Sequence, residues 1–117
     1  MAFKFENLQV WQKALDLTYE VNSLTKKSFP KEELFVLTSQ IKRAADSVVL
    51  NIAEGCTGQT NAVFKQFLGY SVRSAIEVVS CLFIGKRRKI INNDDFQKLY
   101  DDYQALCKMI TALRNTL

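Results

Sequence analysis

The stretch Gln40–Gly55, QIKRAADSVVLNIAEG, decides the reading of the chain. Placed on a helix at about 100° per residue and extended back to residue 34, it gathers Leu34, Leu37, Ile41, Ala44, Ala45, Val48 and Ile52 on one face. Beside that apolar stripe runs a second one made of Gln40, Arg43, Ser47, Asn51 and Glu54, at steps of three and four. The polar stripe borders the core instead of lying opposite it, so its groups are expected half-buried and in need of partners. Two readings follow: a structural network that fixes helix register, or a ligand site. Lys42 and Asp46 point away and can pair at i, i+4.

Working outward, 117 residues make one domain, 1–117, long enough to bury a core without a disulfide or metal. Four glycines and one proline leave little room for turns and favour helices over a many-stranded sheet. Upstream, Phe3 to Asn7 reads as a lead-in with Asn7 as N-cap, followed by a helix from Leu8 to Leu24. That helix carries two stripes: Leu8, Trp11, Leu15, Thr18 and Asn22, and Val10, Ala14, Leu17, Val21 and Leu24. A surface helix needs one. The second stripe is therefore expected to bury against a neighbouring subunit. Lys26 to Phe29 form the first turn, Pro30 opens the second helix, and Gly55 is expected as its C-cap.

Downstream, Thr60 is a candidate N-cap for a helix over 61–85 or slightly beyond, whose apolar residues cover nearly half the circumference. The basic run Lys86, Arg87, Arg88, Lys89 follows it. A fourth helix starts near Asn93 and repeats Phe96, Leu99, Tyr103, Leu106, Ile110, Leu113 and Leu117 at heptad spacing. Four helices with short connections predict an all-α fold, an antiparallel up-down-up-down four-helix bundle. Pairing the second and third helices about a turn near Gly58 brings Arg43 opposite the span from Arg73 to Glu77, with Glu77 as its expected ion partner and Ser47 near Ser74.

The sequence contains no histidine, which removes the commonest general base and metal ligand. Gly55 and Gly58 lack the context of a phosphate-binding loop. No catalytic, cofactor or metal residues are assigned, and an enzyme is not expected. Cys56, Cys81 and Cys107 are odd in number and form no CxxC, which points to free thiols in a reducing cytoplasm. No basic-then-apolar leader opens the chain, and no uncharged apolar run approaches about 18 residues, so no membrane partner is expected. The net charge of +4 and pI near 9.0 permit an acidic partner. Lys86 to Lys89, Arg73 and Lys65 are the candidate nucleic-acid contacts, against the plainer reading of a solvated helix end.

Phe5, Leu8, Val10 and Trp11, then Phe29-Pro30, Glu33, Gln40, Arg43-Ala44, Ser47 and Asn51-Ile52-Ala53-Glu54-Gly55, then Phe67-Leu68, Ser74 and Glu77 form a pattern across nearly the whole chain. It resembles the bacterial four helix bundle protein family, the proteins encoded in intervening sequences of 23S ribosomal RNA genes. The resemblance implies an up-down bundle that assembles with itself into a homopentameric ring. It also implies RNA or DNA as a partner. The family is similar to accessory proteins of diversity-generating retroelements, which bind a reverse transcriptase, so a protein partner such as a polymerase is the alternative. Arg73, Asp46 and Thr57-Gly58-Gln59 depart from the family pattern.

Overall fold

Local sequence marks where α-helices of the fold stop and start: Phe29-Pro30 follows the first, and a left-handed Lys89 follows the third. The computed structural model describes residues 3–58 and 60–117; Gln59, the last residue of the divergent turn, lies outside them. A 3-10 turn, Lys4–Asn7, precedes α1, Gln9–Ser28; α2 is Ser39–Cys56, α3 Asn61–Arg87 and α4 Asn93–Asn115. At about 1.5 Å per residue α3 is about 40 Å long. It therefore spans nearly the whole 43 Å long axis of the molecule. Each helix packs on two others, α1 and α3 both lying against α2 and α4, as an antiparallel up-down-up-down bundle requires.

The caps explain the helix starts. Thr60 Oγ1 accepts the Val63 N–H at 3.1 Å, and Asn92 Oδ1 accepts the Asp95 N–H at 2.8 Å. At α1 the expected Asn7 cap is replaced by Leu8, which offers no side-chain acceptor. There the chain entry is held instead by Gln12 Nε2 donating to the Glu6 carbonyl at 2.7 Å and by Phe5 packed on Trp11. Gly55 is not a C-cap but lies inside α2, which runs on to Cys56. Its role is close approach: a Cβ there would sit 2.4 Å from Phe67 Cβ on α3.

The entry to α2 is irregular. Pro30 precedes a 3-10 turn, Lys31–Glu33, and then a π-helical turn, Leu34–Thr38, before regular α2 begins. Tight and wide turns in succession shift the phase of the helix. Leu34 consequently leaves the apolar stripe and is half exposed, while Leu37, Ile41, Ala44, Ala45, Val48 and Ile52 stay buried.

The core corrects the expectation for α1. Val10, Ala14, Leu17, Val21 and Leu24 are all buried within the single chain, at most 5% exposed, and belong to the bundle's own core. They cannot dock a neighbouring subunit, because nothing of them remains on the surface. The other stripe is the outer one: Leu15 is 44% exposed and Leu8, Trp11, Thr18 and Asn22 are partly buried. Periodicity alone gives two stripes of similar apolarity, and only packing against α2 and α4 chooses between them. The α4 heptad from Phe96 to Ile110 is buried, with Leu113 and Leu117 packed at its edge.

By length and composition α3 could cross a bilayer. It packs instead between α2 and α4 and carries Lys65, Arg73 and Glu77 on its exposed side, as a bundle helix does.

Candidate nucleic-acid interface

Two places hold the polar residues singled out by the sequence: the seam between α2 and α3, and the bundle end where α1 and α3 finish and α2 and α4 begin.

The seam is closed by hydrogen bonds, with no ion pair across it among the described residues. Ser47 and Ser74 hydroxyls meet at 2.9 Å, and Asn51 Nδ2 donates to the Ser47 carbonyl at 2.8 Å and its hydroxyl at 3.0 Å. Ser71, fully buried and unforeseen, donates to the Val48 carbonyl at 3.0 Å. Gln40 Nε2 donates to Glu77 Oε2 at 2.8 Å. The expected Arg43–Glu77 ion pair is therefore a correction: Gln40 holds Glu77, and Arg43 has no polar partner among the described residues. The cause is angular. Arg43 stands seven residues from Leu50, which is 63% exposed, so both lie on the outer face of α2, whereas Gln40 lies at the edge facing α3. Glu54 is likewise exposed, outside the network.

Below the seam Cys81 is buried, and desolvation followed by the charge of Glu77 pushes its thiol up to about 11. Desolvation is also the main cause raising Cys56 and Cys107, so all three free thiols stay protonated near neutrality. The Tyr103 hydroxyl is buried without a hydrogen-bond partner among the described residues. Burial, then the charges of Asp46 and Asp102, raise its pKa.

The bundle end gathers Lys26 and Lys27 from the last turn of α1, Lys31 before α2, and Lys86 to Lys89, all exposed. The run 86–89 does not fan outward uniformly. Lys86 Nζ lies 4.4 Å from the centre of the Phe96 ring, and Arg88 pairs with Glu33 at 3.3 Å. Lys27 pairs with Asp95 at 2.9 Å. Lys26, Lys31, Arg87 and Lys89 have no ion partner among the described residues. Arg73 is exposed and unpaired among the same residues, but 14 positions before Arg87, about 21 Å along α3. Lys65 belongs to the opposite end of the bundle.

The end is rigidly built. Lys89 has φ 61°, the left-handed conformation. It lets the Ile90 N–H reach the Gly85 carbonyl at 2.8 Å and the Lys89 N–H reach Lys86 at 3.0 Å, a Schellman stop for α3. Ile91 then folds over Gly85, where a Cβ would lie 2.5 Å from Ile91 Cδ1. Among the described residues no cluster of His, Cys, Asp or Glu is arranged to hold a metal ion.

Comparison with known proteins agrees with this architecture. No curated protein matches. A solved structure from Bacteroides thetaiotaomicron, described as a protein of unknown function from the S23 ribosomal protein family, superposes with a TM-score of 0.80. It covers 90% of this chain and 97% of its own at 21% identity, so it speaks for the fold alone. The family model described as 23S rRNA-intervening sequence protein matches residues 6–112. With that match over almost the whole bundle, the chain belongs to the 23S rRNA-intervening sequence protein family.

Proposed function

We propose that this protein is a non-enzymatic, cytoplasmic helical scaffold of bacterial origin that assembles with itself and binds RNA or other nucleic acid through the basic bundle end. The observation that carries the reading is the concentration of exposed cations from Lys26, Lys31, Arg87 and Lys89 at one end of a rigid fold. Such a surface engages phosphate and not sequence. The family description names 23S rRNA, which favours RNA over other nucleic acid.

Self-assembly is supported by apolar side chains that the chain leaves outside. Ile76 and Phe83, seven residues apart on α3, are 56% and 53% exposed, and Leu50 and Leu15 are similarly open. Large apolar side chains left open on three of the helices are the raw material of an interface between copies. A homopentamer is the assembly suggested by the family resemblance, and a ring would repeat the basic end in every subunit and raise avidity without new contacts. The second reading, a protein adaptor docking onto a polymerase or similar partner, draws on the same apolar side chains.

The test is RNA filter binding at low and near-physiological salt, with mass measured by light scattering. The proposal expects an oligomer and weakly sequence-selective binding that weakens steeply with salt. An oligomer that binds no RNA at low salt favours the adaptor; a monomer at micromolar concentration contradicts the scaffold.

A further inference from the structure

We infer that Glu33 and Asp95 are built-in competitors of phosphate at the basic bundle end, each masking a cation, Arg88 or Lys27, that RNA engages by exchange. This rests on the nucleic-acid reading above and names how that same site is regulated. Arg88 Nη1 lies 3.3 and 3.4 Å from the two Glu33 oxygens. Lys27 Nζ lies 2.9 Å from Asp95 Oδ2.

In both pairs the carboxylate is the fixed member. Glu33 stands at the start of the π-helical turn, where its Oε1 also accepts the Leu37 N–H at 3.4 Å. Asp95 stands in the first turn of α4, where the helix dipole favours a carboxylate. The cations are the loose members. Arg88 is 49% exposed against 15% for Glu33, and Lys27 64% against 26% for Asp95. That asymmetry lets a cation leave without stranding its partner, because each carboxylate keeps its seat at a helix start. Exposed ion pairs are weak, whereas a phosphate oxygen on a guanidinium or ammonium makes a charge-assisted bond. Lys26, Lys31, Arg87 and Lys89, which have no ion partner among the described residues, make the first contacts. Arg88 lies between Arg87 and Lys89 in the chain, and Lys27 follows Lys26, so a strand held by the free cations meets the masked ones next.

Masking has a thermodynamic signature. A free cation that neutralises a phosphate releases a counterion from the RNA, and affinity falls as salt rises. A masked cation that changes partner leaves a bare carboxylate, which takes up a cation from solution and cancels that release. It adds little to the salt slope until its carboxylate is removed. A purely structural pair behaves differently: losing the carboxylate lowers stability, and RNA affinity follows net charge alone.

The test is filter binding of labelled oligouridylate across a salt series, with wild type, Glu33→Gln, Asp95→Asn, Glu32→Gln and Asp94→Asn. Glu32 and Asp94 are exposed neighbours at the same end without an ion partner among the described residues, so all four variants remove one negative charge there. Glu33→Gln and Asp95→Asn should each steepen the slope of log K against log salt by roughly 0.7–0.9, which is about five- to tenfold tighter binding near 0.1 M salt. The two neighbour variants should leave the slope unchanged. Glutamine keeps an acceptor for the Leu37 N–H, so the unfolding midpoint of Glu33→Gln should stay near that of wild type. The double variant Glu33→Gln/Arg88→Gln should lose the gain, because the gain passes through Arg88. If Glu33→Gln and Asp95→Asn behave like their neighbours, net charge accounts for the effect; masking fails and the broader reading stands. A gain that survives loss of Arg88, or lowered stability with no change of slope, also overturns it. If wild type and every variant bind no RNA at low salt, the nucleic-acid reading fails with it.

Discussion

The α2–α3 seam and the basic bundle end use similar residue types in opposite ways. At the seam Gln40, Ser47, Asn51, Ser71, Ser74 and Glu77 satisfy one another or a carbonyl within the chain. At the end, Arg88, Lys86 and Lys27 are tied to Glu33, Phe96 and Asp95, while Lys26, Lys31, Arg87, Lys89 and Phe35 are left facing solvent. Polarity beside a core thus marks register, and function is to be sought where rigid backbone presents side chains that nothing in the chain answers. A network fully satisfied internally has little left with which to hold a ligand.

Substitutions can break or sharpen that contrast. The largest effect is expected in the core. Leu17→Ala should cost about 2–5 kcal/mol in denaturant unfolding, because Leu17 is 3% exposed. Ile76→Ala on the outer face should change the stability of the isolated chain by less than about 0.5 kcal/mol and weaken assembly instead. If the two substitutions cost the same, the assignment of inner and outer faces is wrong.

Alkaline pH probes the seam. The Cys81 thiol is raised from 9.0 to about 11. Below pH 9 both folded and unfolded chains hold the proton and stability is flat. Between pH 9 and about 11 the unfolded chain releases it first, so stability falls, levelling off above. The loss from this thiol is at most roughly 2–3 kcal/mol, less as solvent screens it, read from urea midpoints along the pH series. Cys81→Ala should remove the Cys81 share of the slope and leave the part due to Cys56, Cys107 and Tyr103, whose pKa values are also raised; an unchanged slope would contradict burial of the Cys81 thiol.

Gly55→Ala tests how closely the two helices approach. The new Cβ would meet Phe67 Cβ, which is fixed to its backbone and cannot swing away. A loss of about 1–3 kcal/mol in thermal unfolding is expected. At the other end a small effect has the opposite sign. Lys89→Gly relieves a left-handed residue and should stabilise by roughly 1 kcal/mol, while taking one charge from the surface. Destabilisation by Lys89→Gly would mean that the lysine side chain is itself structural.

Much of this was legible beforehand. The helix boundaries of α3 and α4, the Thr60 cap, the α4 heptad and the approach of Ser47 to Ser74 follow from periodicity and capping chemistry. Apart from the caps expected at Asn7 and Gly55, the failures share a cause, the rotation of a helix about its own axis. Choosing between the stripes of α1, or between Gln40 and Arg43 as partner of Glu77, needs that angle to within a fraction of a turn. The succession of 3-10 and π turns before α2 also changes the phase, which uniform spacing cannot reveal. The exposure of Leu34, Phe35 and Val36 was missed for the same reason: on a regular helix uniform spacing places Leu34 on the core stripe. The signal that remained was an LFV run beside a Pro30 start, too apolar for an exposed helix entry.

The most direct measurement compares the two ends of the molecule. RNA affinity is titrated against salt for wild type, for Arg87→Ala/Lys89→Gly, and for Lys65→Ala/Lys108→Ala, which removes the same charge from the opposite end. If each lost cation is one phosphate contact, the first pair should reduce the slope of log K against log salt by roughly 1.4–1.8, and the second should leave it unchanged. Equal reductions from both pairs, or a reduction only from Lys65 and Lys108, would contradict binding at the basic bundle end.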